Sequence, residues 1–327
     1  MRKLIDNPAL ITKCCILHYE ENLSQSVISK MLKVSPASVC RMLKEGRDTG
    51  IVYISVNRNA LISREKFKEE EEVIKSFFSL LKVSIVSKGV RQNETLQNLG
   101  VAASDYLNDI IKDGYTIGVS LGTSVKSVAQ FLKQKAENVK VASLVGGIGQ
   151  IEARLHPNQI VMDYAEHLNA VPVLLNAPAV VNDNLRHMLM NEKEISDAVK
   201  TAENSDIIVF GIGNPSSKFS TMKMIGYFDE NSKNEIMEKN AVADMCLRLL
   251  DKNGDASSFS FNKKIFGVDL NKLKTLKYKV AIAGGEEKTE AIIAAIHGGY
   301  VNSLITTQDA AREIIDYINK MKGTSKN

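Results

Sequence analysis

The sequence predicts two unequal parts: a small helical N-terminal domain, then a large doubly wound, mostly parallel α/β domain. Two observations predict this. Up to residue 57 the apolar residues fall mainly at helical spacing, with two serine caps. From about Val83 onward, short apolar runs alternate with helical segments, the pattern of a parallel sheet with crossover helices. The expected boundaries are 1–57 for the helical domain, 58–80 for a linker and helix, and 81–327 for the α/β domain.

In the first part, Pro8 to Glu21 carries Ile11, Cys14, Cys15 and Leu17 near helical spacing. Ser24 caps a short helix from Gln25 to Leu32, and Lys33-Val34 makes a tight connection. Ser35-Pro36 opens the next helix, with serine as cap and proline at the first helical position. That helix runs to about Lys44 and turns Val39, Met42 and Leu43 inward. The segment Ile51–Val56 reads as a strand. Residues 58–80 are charged and then amphipathic, with the acidic run Glu69–Glu72 on a solvated face.

Seven strands are expected in the second part: Val83–Ser87, Thr116–Ser120, Lys140–Leu144, Val171–Leu174, Ile207–Phe210, Lys279–Ala283 and Ser303–Thr306. Helices are expected at Glu94–Lys112, Ser124–Gln134, Gln159–Leu168, Glu192–Glu203, Ala241–Leu250, Glu286–His297 and Gln308–Met321.

Two short helices joined by a tight turn are the parts of a helix-turn-helix. Its second helix would present Ser35, Ala37, Ser38, Arg41 and Lys44 to a DNA groove. Gln25, opening the preceding helix, would reach the phosphate backbone. Between Ile28 and Arg47 stand Lys30, Lys33, Arg41, Lys44 and Arg47 against one acid, Glu45. Such local basicity suits phosphate. A helical-hairpin interaction module without DNA is the alternative. The Ile51–Val56 strand would form a wing.

Four glycine segments follow predicted strands: Gly122-Thr123-Ser124, Gly146-Gly147-Ile148-Gly149, Gly211-Ile212-Gly213-Asn214 and Gly284-Gly285-Glu286-Glu287-Lys288. In an open parallel sheet the carboxyl ends of the strands share one edge, so such loops converge. Glycine lets backbone approach a ligand closely, hydroxyls add donors, and Lys288 supplies a cation for a phosphate.

An enzyme would need an acid/base pair in the same crevice. Asp244 and Asp269 are the candidates, and they fit hydroxyl recognition at least as well. His156, His167, His187 and His297 read as structural. No catalytic residue, metal site or cofactor is expected. Cys14, Cys15, Cys40 and Cys246 have no zinc spacing and read as free thiols in a reducing compartment. The formal net charge is +4, and no apolar run is long enough to cross a bilayer. A cytoplasmic protein without membrane partners is expected.

The chain resembles the SorC family of bacterial sugar-binding transcriptional regulators, which includes the deoxyribonucleoside regulator and the central glycolytic gene regulator. The likeness runs in order through LSQSVISKMLKVSPASVCRMLKEGRDTGIVYISV, DGYTIGVSLGTSVKSVAQFL, SLVGGIG, IIVFGIGNP, ADMCLRLLDKNG and IFGVDLNKLK. It closes on VAIAGGEEKTEAIIAAIHGGYVNSLITTQDAAREII. The resemblance implies an effector domain similar to sugar-phosphate isomerases and deaminases but used for sensing. It also implies homodimers or homotetramers on operator DNA, regulating carbohydrate genes. It places phosphate contacts on Gly122, Thr123, Ser124 and Lys288. Contacts to the sugar body fall on Gly211, Gly213, Asp244 and Asp269. The chain departs from the family pattern at Ser29, Cys40 and Ala243. Val145 stands where the deoxyribonucleoside regulator has a lysine that forms a Schiff base with its effector, so non-covalent binding of a different sugar is implied. A sugar-phosphate isomerase or deaminase with an appended helical domain is the rival reading.

Overall fold

A computed structural model describes residues 7–21, 23–52, 66–147, 149, 155–217 and 230–324. The chain divides into two compact units, Met1–Ala60 and Leu61–Asn327.

Among the described residues, the smaller unit holds three helices whose starts are fixed by caps. In α1 (Pro8–Tyr19) the Asn7 side chain accepts from Leu10 N–H at 3.2 Å. In α2 (Gln25–Met31) Ser24 accepts from Val27 N–H, and in α3 (Pro36–Asp48) Ser35 accepts from Ser38 N–H at 3.1 Å. Each cap satisfies a backbone donor that the first helical turn leaves unpaired. Lys33, at φ 53°, makes the left-handed turn between α2 and α3. Ile11, Cys14, Cys15, Leu17, Ile28, Val39, Met42 and Leu43 form the buried core. Helices α1 and α3 pack so closely that a Cβ on Gly46 would lie 2.4 Å from Cys15 Sγ. The expected wing is not seen as a strand at Ile51 and Val52, which form a bend, and residues 53–56 lie outside the described residues.

The larger unit begins, among the described residues, with α4 (Lys68–Phe78). Its sheet has the order β1-β9-β8-β5-β2-β3-β4, with every neighbouring pair parallel. The strands are β1 Lys82–Val86, β2 Thr116–Val119, β3 Lys140–Ser143, β4 Val171–Val173, β5 Ile207–Gly211, β8 Tyr278–Ile282 and β9 Ser303–Thr307. All seven strands expected from the sequence form, each within two residues of the expected bounds. Their runs of β-branched and aliphatic residues are buried along β2, β5, β8 and β9, as suits a parallel sheet's interior.

From β2 the chain adds β3 and β4 on one side. It then returns with β5, β8 and β9 on the other. Right-handed crossovers therefore place helices on opposite faces. They also leave a crevice between the carboxyl ends of β2 and β5, where the order reverses. The crossover helices include α5 (Gln92–Ile110), α6 (Thr123–Ala129), α7 (Pro157–Leu168), α8 (Asp183–Asn191) and α9 (Lys193–Glu203). After α10 (Glu230–Glu238) and the hairpin described next come α11 (Leu270–Thr275), α12 (Thr289–His297) and α13 (Gln308–Thr324).

One expected helix is absent. Ala241–Leu250 contains no helix but an antiparallel hairpin, β6 (Ala243–Met245) and β7 (Arg248–Leu250). Its two-residue turn holds Cys246 at φ 47° and Leu247 at φ 64°. Hairpin turns of this type need positive φ at both central residues and normally use glycine, asparagine or aspartate. Here Arg248, buried beneath the turn, compensates: its guanidinium donates to Cys246 O at 3.0 Å and Val268 O at 2.6 Å.

Helix α4 covers the outer edge of β1. Its Glu71 Oε1 accepts the Ile85 N–H at 2.8 Å, a donor on the free side of an edge strand. Burial pushes the Glu71 carboxyl up, and the Ile85 N–H and Lys82 oppose the shift.

A cavity at the carboxyl edge of the sheet

At the crevice lies a cavity of about 700 Å³. It is built by loops leaving β1, β2, β5, β8 and β9, closed by the start of α5 and the β6–β7 turn.

The β2 loop brings Ser120, Gly122, Thr123 and Ser124 to the wall. Gly122 adopts φ 131°, which L-residues avoid, and this lets the chain turn straight into α6. The β8 loop turns at Gly285, φ 104°, into a short 3-10 turn, Glu286–Lys288, that carries Lys288. Gly284 must be small too, because a Cβ there would lie 2.5 Å from Thr307 Cγ2. Asn214, after β5, donates to Glu287 O at 3.1 Å and so ties the two loops.

Asp244 enters from the hairpin. Its backbone pairs with Gly213 in both directions, each bond 2.9 Å, which fixes β6 to the loop after β5. Gly213 lies against the carboxylate, and a Cβ there would come within 2.3 Å of Asp244 Oδ1. That Oδ1 is buried and has no hydrogen-bond partner among the described residues. Burial pushes the Asp244 carboxyl up to about 6, with Lys288 opposing. Burial likewise pulls the Lys288 ammonium down, with Asp244 and then Glu287 opposing. The two groups therefore offset each other's burial, and both residues line the cavity, as polar groups of a ligand site do. Cys246, also on the wall, is pushed up to about 11 by burial, against the pull of Arg248 and the Ser120 hydroxyl, and so stays a thiol.

The structure thus brings together Gly122, Thr123, Ser124, Gly211, Gly213, Asp244 and Lys288. It does not bring Asp269. That carboxylate caps α11, accepting from Asn271 N–H at 2.7 Å, and lies outside the cavity wall. The Gly146-Gly147 loop does not line the cavity either. Its amides pair with Phe266 O at 3.0 Å and Ala177 O at 2.7 Å, and a Cβ on Gly146 would strike the Pro178 carbonyl. Val145 is fully buried and pairs with Gly267. Sequence reasoning missed Lys88, Arg91, Thr307 and Asp309 on the wall. The rule that gathered the glycine loops would have found Lys88, Thr307 and Asp309, since these too follow sheet strands.

In the smaller unit, Gln25, Ser35, Ala37, Arg41 and Lys44 are exposed and Ser38 is half-buried. Ser38, Arg41 and Lys44 recur every three residues along α3, with Ala37 four before Arg41, opposite buried Val39, Met42 and Leu43. Ser35 and Ser38 hydroxyls stand 2.9 Å apart, and Arg41 Nε donates to Ala37 O at 3.3 Å.

A family model described as "Putative sugar-binding domain" matches residues 64–316, most of the larger unit and the cavity with it. The chain belongs to this family. Within it, the chain is similar to regulators of the SorC type. It is 28% identical over 314 residues to the sorbitol operon regulator of Klebsiella pneumoniae, covering 95% of this chain and 98% of that protein. It is 27% identical to the deoxyribonucleoside regulator of Bacillus subtilis, over 92% of this chain and 95% of that one. The crystal structure of the full-length Klebsiella pneumoniae regulator superimposes with a TM-score of 0.72 at 27% identity, covering 94% of this chain and 98% of that one. Among the described residues, no helix is long and apolar enough to cross a membrane, and no cluster of His, Cys, Asp and Glu has metal-holding geometry.

Proposed function

We propose that this chain is a DNA-binding transcriptional regulator of carbohydrate genes, controlled by a small phosphorylated sugar or polyol held non-covalently in the cavity. The observation that carries the reading is the cavity itself. A cation, Lys288, and the carboxylate residue Asp244 line the same space as the Gly122-Thr123-Ser124 turn. Lys288 and the Thr123 and Ser124 hydroxyls suit a phosphate, and Asp244 suits a sugar hydroxyl. Val145 offers no amine for a covalent link. The exposed polar face of α3 supports DNA reading by Ser35, Ala37, Ser38, Arg41 and Lys44, with Gln25 on the backbone. The protein works as a homodimer or homotetramer on operator DNA in the cytoplasm, and it catalyses no reaction. The ligand acts by binding the DNA-competent and incompetent states unequally.

One observation favours a second reading. A carboxyl held at about 6 is suited to proton transfer near neutral pH, which an isomerase or deaminase would use. The experiment that separates the two selects duplexes from a random DNA pool with the purified protein. Affinity is then measured against salt, with and without sugar phosphates, and the same sugars are assayed for conversion. Selection of a defined sequence whose affinity falls steeply with salt and responds to a sugar phosphate supports the regulator. Turnover without sequence selection supports the enzyme.

A further inference from the structure

Lys88 lies just past β1, and Asp309 opens α13 just past β9, the strand beside β1. Both line the cavity. Lys88 Nζ stands 2.8 Å from Asp309 Oδ2, with the lysine side chain 55% exposed and the aspartate 15%. The carboxylate is anchored from behind. Its Oδ1 accepts from the Thr307 hydroxyl and from Ala310 N–H at 3.0 Å. Thr307 Oγ1 in turn accepts Gly285 N–H at 2.9 Å. Gly285 is the left-handed residue of the turn that carries Lys288. Glu286 and Glu287 of that turn also act on Lys88 electrostatically, so Lys88 stands beside it.

The asymmetry of this pair is informative. Asp309 accepts from two donors besides Lys88 and is largely buried, whereas Lys88 is a long side chain more than half in solvent. An ion pair with an exposed partner contributes little to stability and is readily exchanged. Arg91, exposed on the same wall, has no ion-pair partner among the described residues, so a second cation stands beside Lys88 at the rim.

We propose that Lys88 is a ligand-binding cation of this cavity and that Asp309 is its resting counter-ion, displaced when an anionic group of the ligand arrives. The inference deepens the reading of the cavity as an anion-holding effector site and rests on it. It also supplies a mechanical consequence. The Lys88–Asp309 pair ties β1 to α13, and α4 packs on both of these elements. Loss of the pair on ligand binding releases a tie between the two elements on which α4 packs.

Titration of the full chain with inorganic phosphate, followed by phosphorus NMR line broadening, tests the assignment. Lys88→Met is expected to weaken phosphate about tenfold, the loss of one charge-assisted bond. Asp309→Asn keeps the acceptor for Thr307 and Ala310 but removes the competing charge, and is expected to tighten phosphate about two- to fivefold. A merely structural role for Asp309 would weaken binding or leave it alone. The double variant is expected to bind no more tightly than Lys88→Met. Unchanged affinity in Lys88→Met and Asp309→Asn, with Lys288→Met still weakened, overturns this inference and leaves the site reading intact. No phosphate binding to the unmodified chain overturns both.

Discussion

Replacing Asp244 by asparagine should make the protein more stable and less able to bind its ligand. The carboxyl is shifted up by burial from an ordinary value of 3.8 to about 6. A carboxyl whose folded pKa is raised gives its full stability only while protonated in both states, below about pH 4. That stability is lost as pH rises through the folded value. A shift of about 2 units is worth about 3 kcal/mol, at 1.36 kcal/mol per unit. Above pH 7 the wild type therefore bears a cost of that order which Asp244→Asn does not. At 2–4 °C per kcal/mol for a unit of this size, the variant's larger unit should melt roughly 6–12 °C higher at pH 8, with the gain fading toward pH 4. Differential scanning calorimetry of both proteins at pH 4, 6 and 8 reads this directly. Ligand affinity should fall in the same variant, because the carboxylate that lines the cavity becomes an amide. A gain in melting temperature that is equal at every pH, or a loss at pH 8, would refute the argument. Stability given up at a binding residue is the usual signature of a site shaped for its ligand rather than for folding.

Three further outcomes follow from the same geometry. Arg41→Ala should lower affinity for a selected duplex at least tenfold and reduce its salt dependence by about one ion, while phosphate affinity stays unchanged; fluorescence anisotropy across a salt series measures both. Gly46→Ala should destabilise the smaller unit by about 1–3 kcal/mol, since its Cβ would fall 2.4 Å from Cys15 Sγ, and hydrogen exchange in α1 and α3 reports it. Gly213→Ala should weaken the ligand by displacing the Asp244 carboxylate, and calorimetric titration should show the loss without a change in DNA affinity.

Much of the fold was legible because buried parallel strands are written as short apolar runs. Ile207–Phe210 and Ser303–Thr307 could hardly be anything else. The Ser24 and Ser35 caps were legible for a similarly local reason, a hydroxyl one residue before the helix. The hairpin at Ala243–Leu250 was not legible. Its turn uses Cys246 and Leu247, neither a turn former, and its conformation is held by Arg248 donating to Cys246 O and Val268 O, a contact twenty residues away in sequence for the latter. Asp244 was thus assigned to the site but to the wrong element. Asp269 shows the opposite error. An aspartate two residues before an amide it can bind is a helix cap by local rules alone, and those rules outweighed the expected sugar contact. The Gly146-Gly147 loop failed because close packing against Pro178 and His156, invisible in sequence, uses up the room that glycine provides.

The central claim is that the cavity at the carboxyl edge holds an anionic sugar through Lys288. Calorimetric titration of the full chain and of Lys288→Met with a panel of sugar phosphates and the corresponding free sugars tests it most directly. At least one phosphorylated sugar should bind the unmodified chain well above its free counterpart and lose at least tenfold in affinity in Lys288→Met. Equal affinity for a sugar with and without its phosphate, or binding indifferent to the loss of Lys288, would contradict the account.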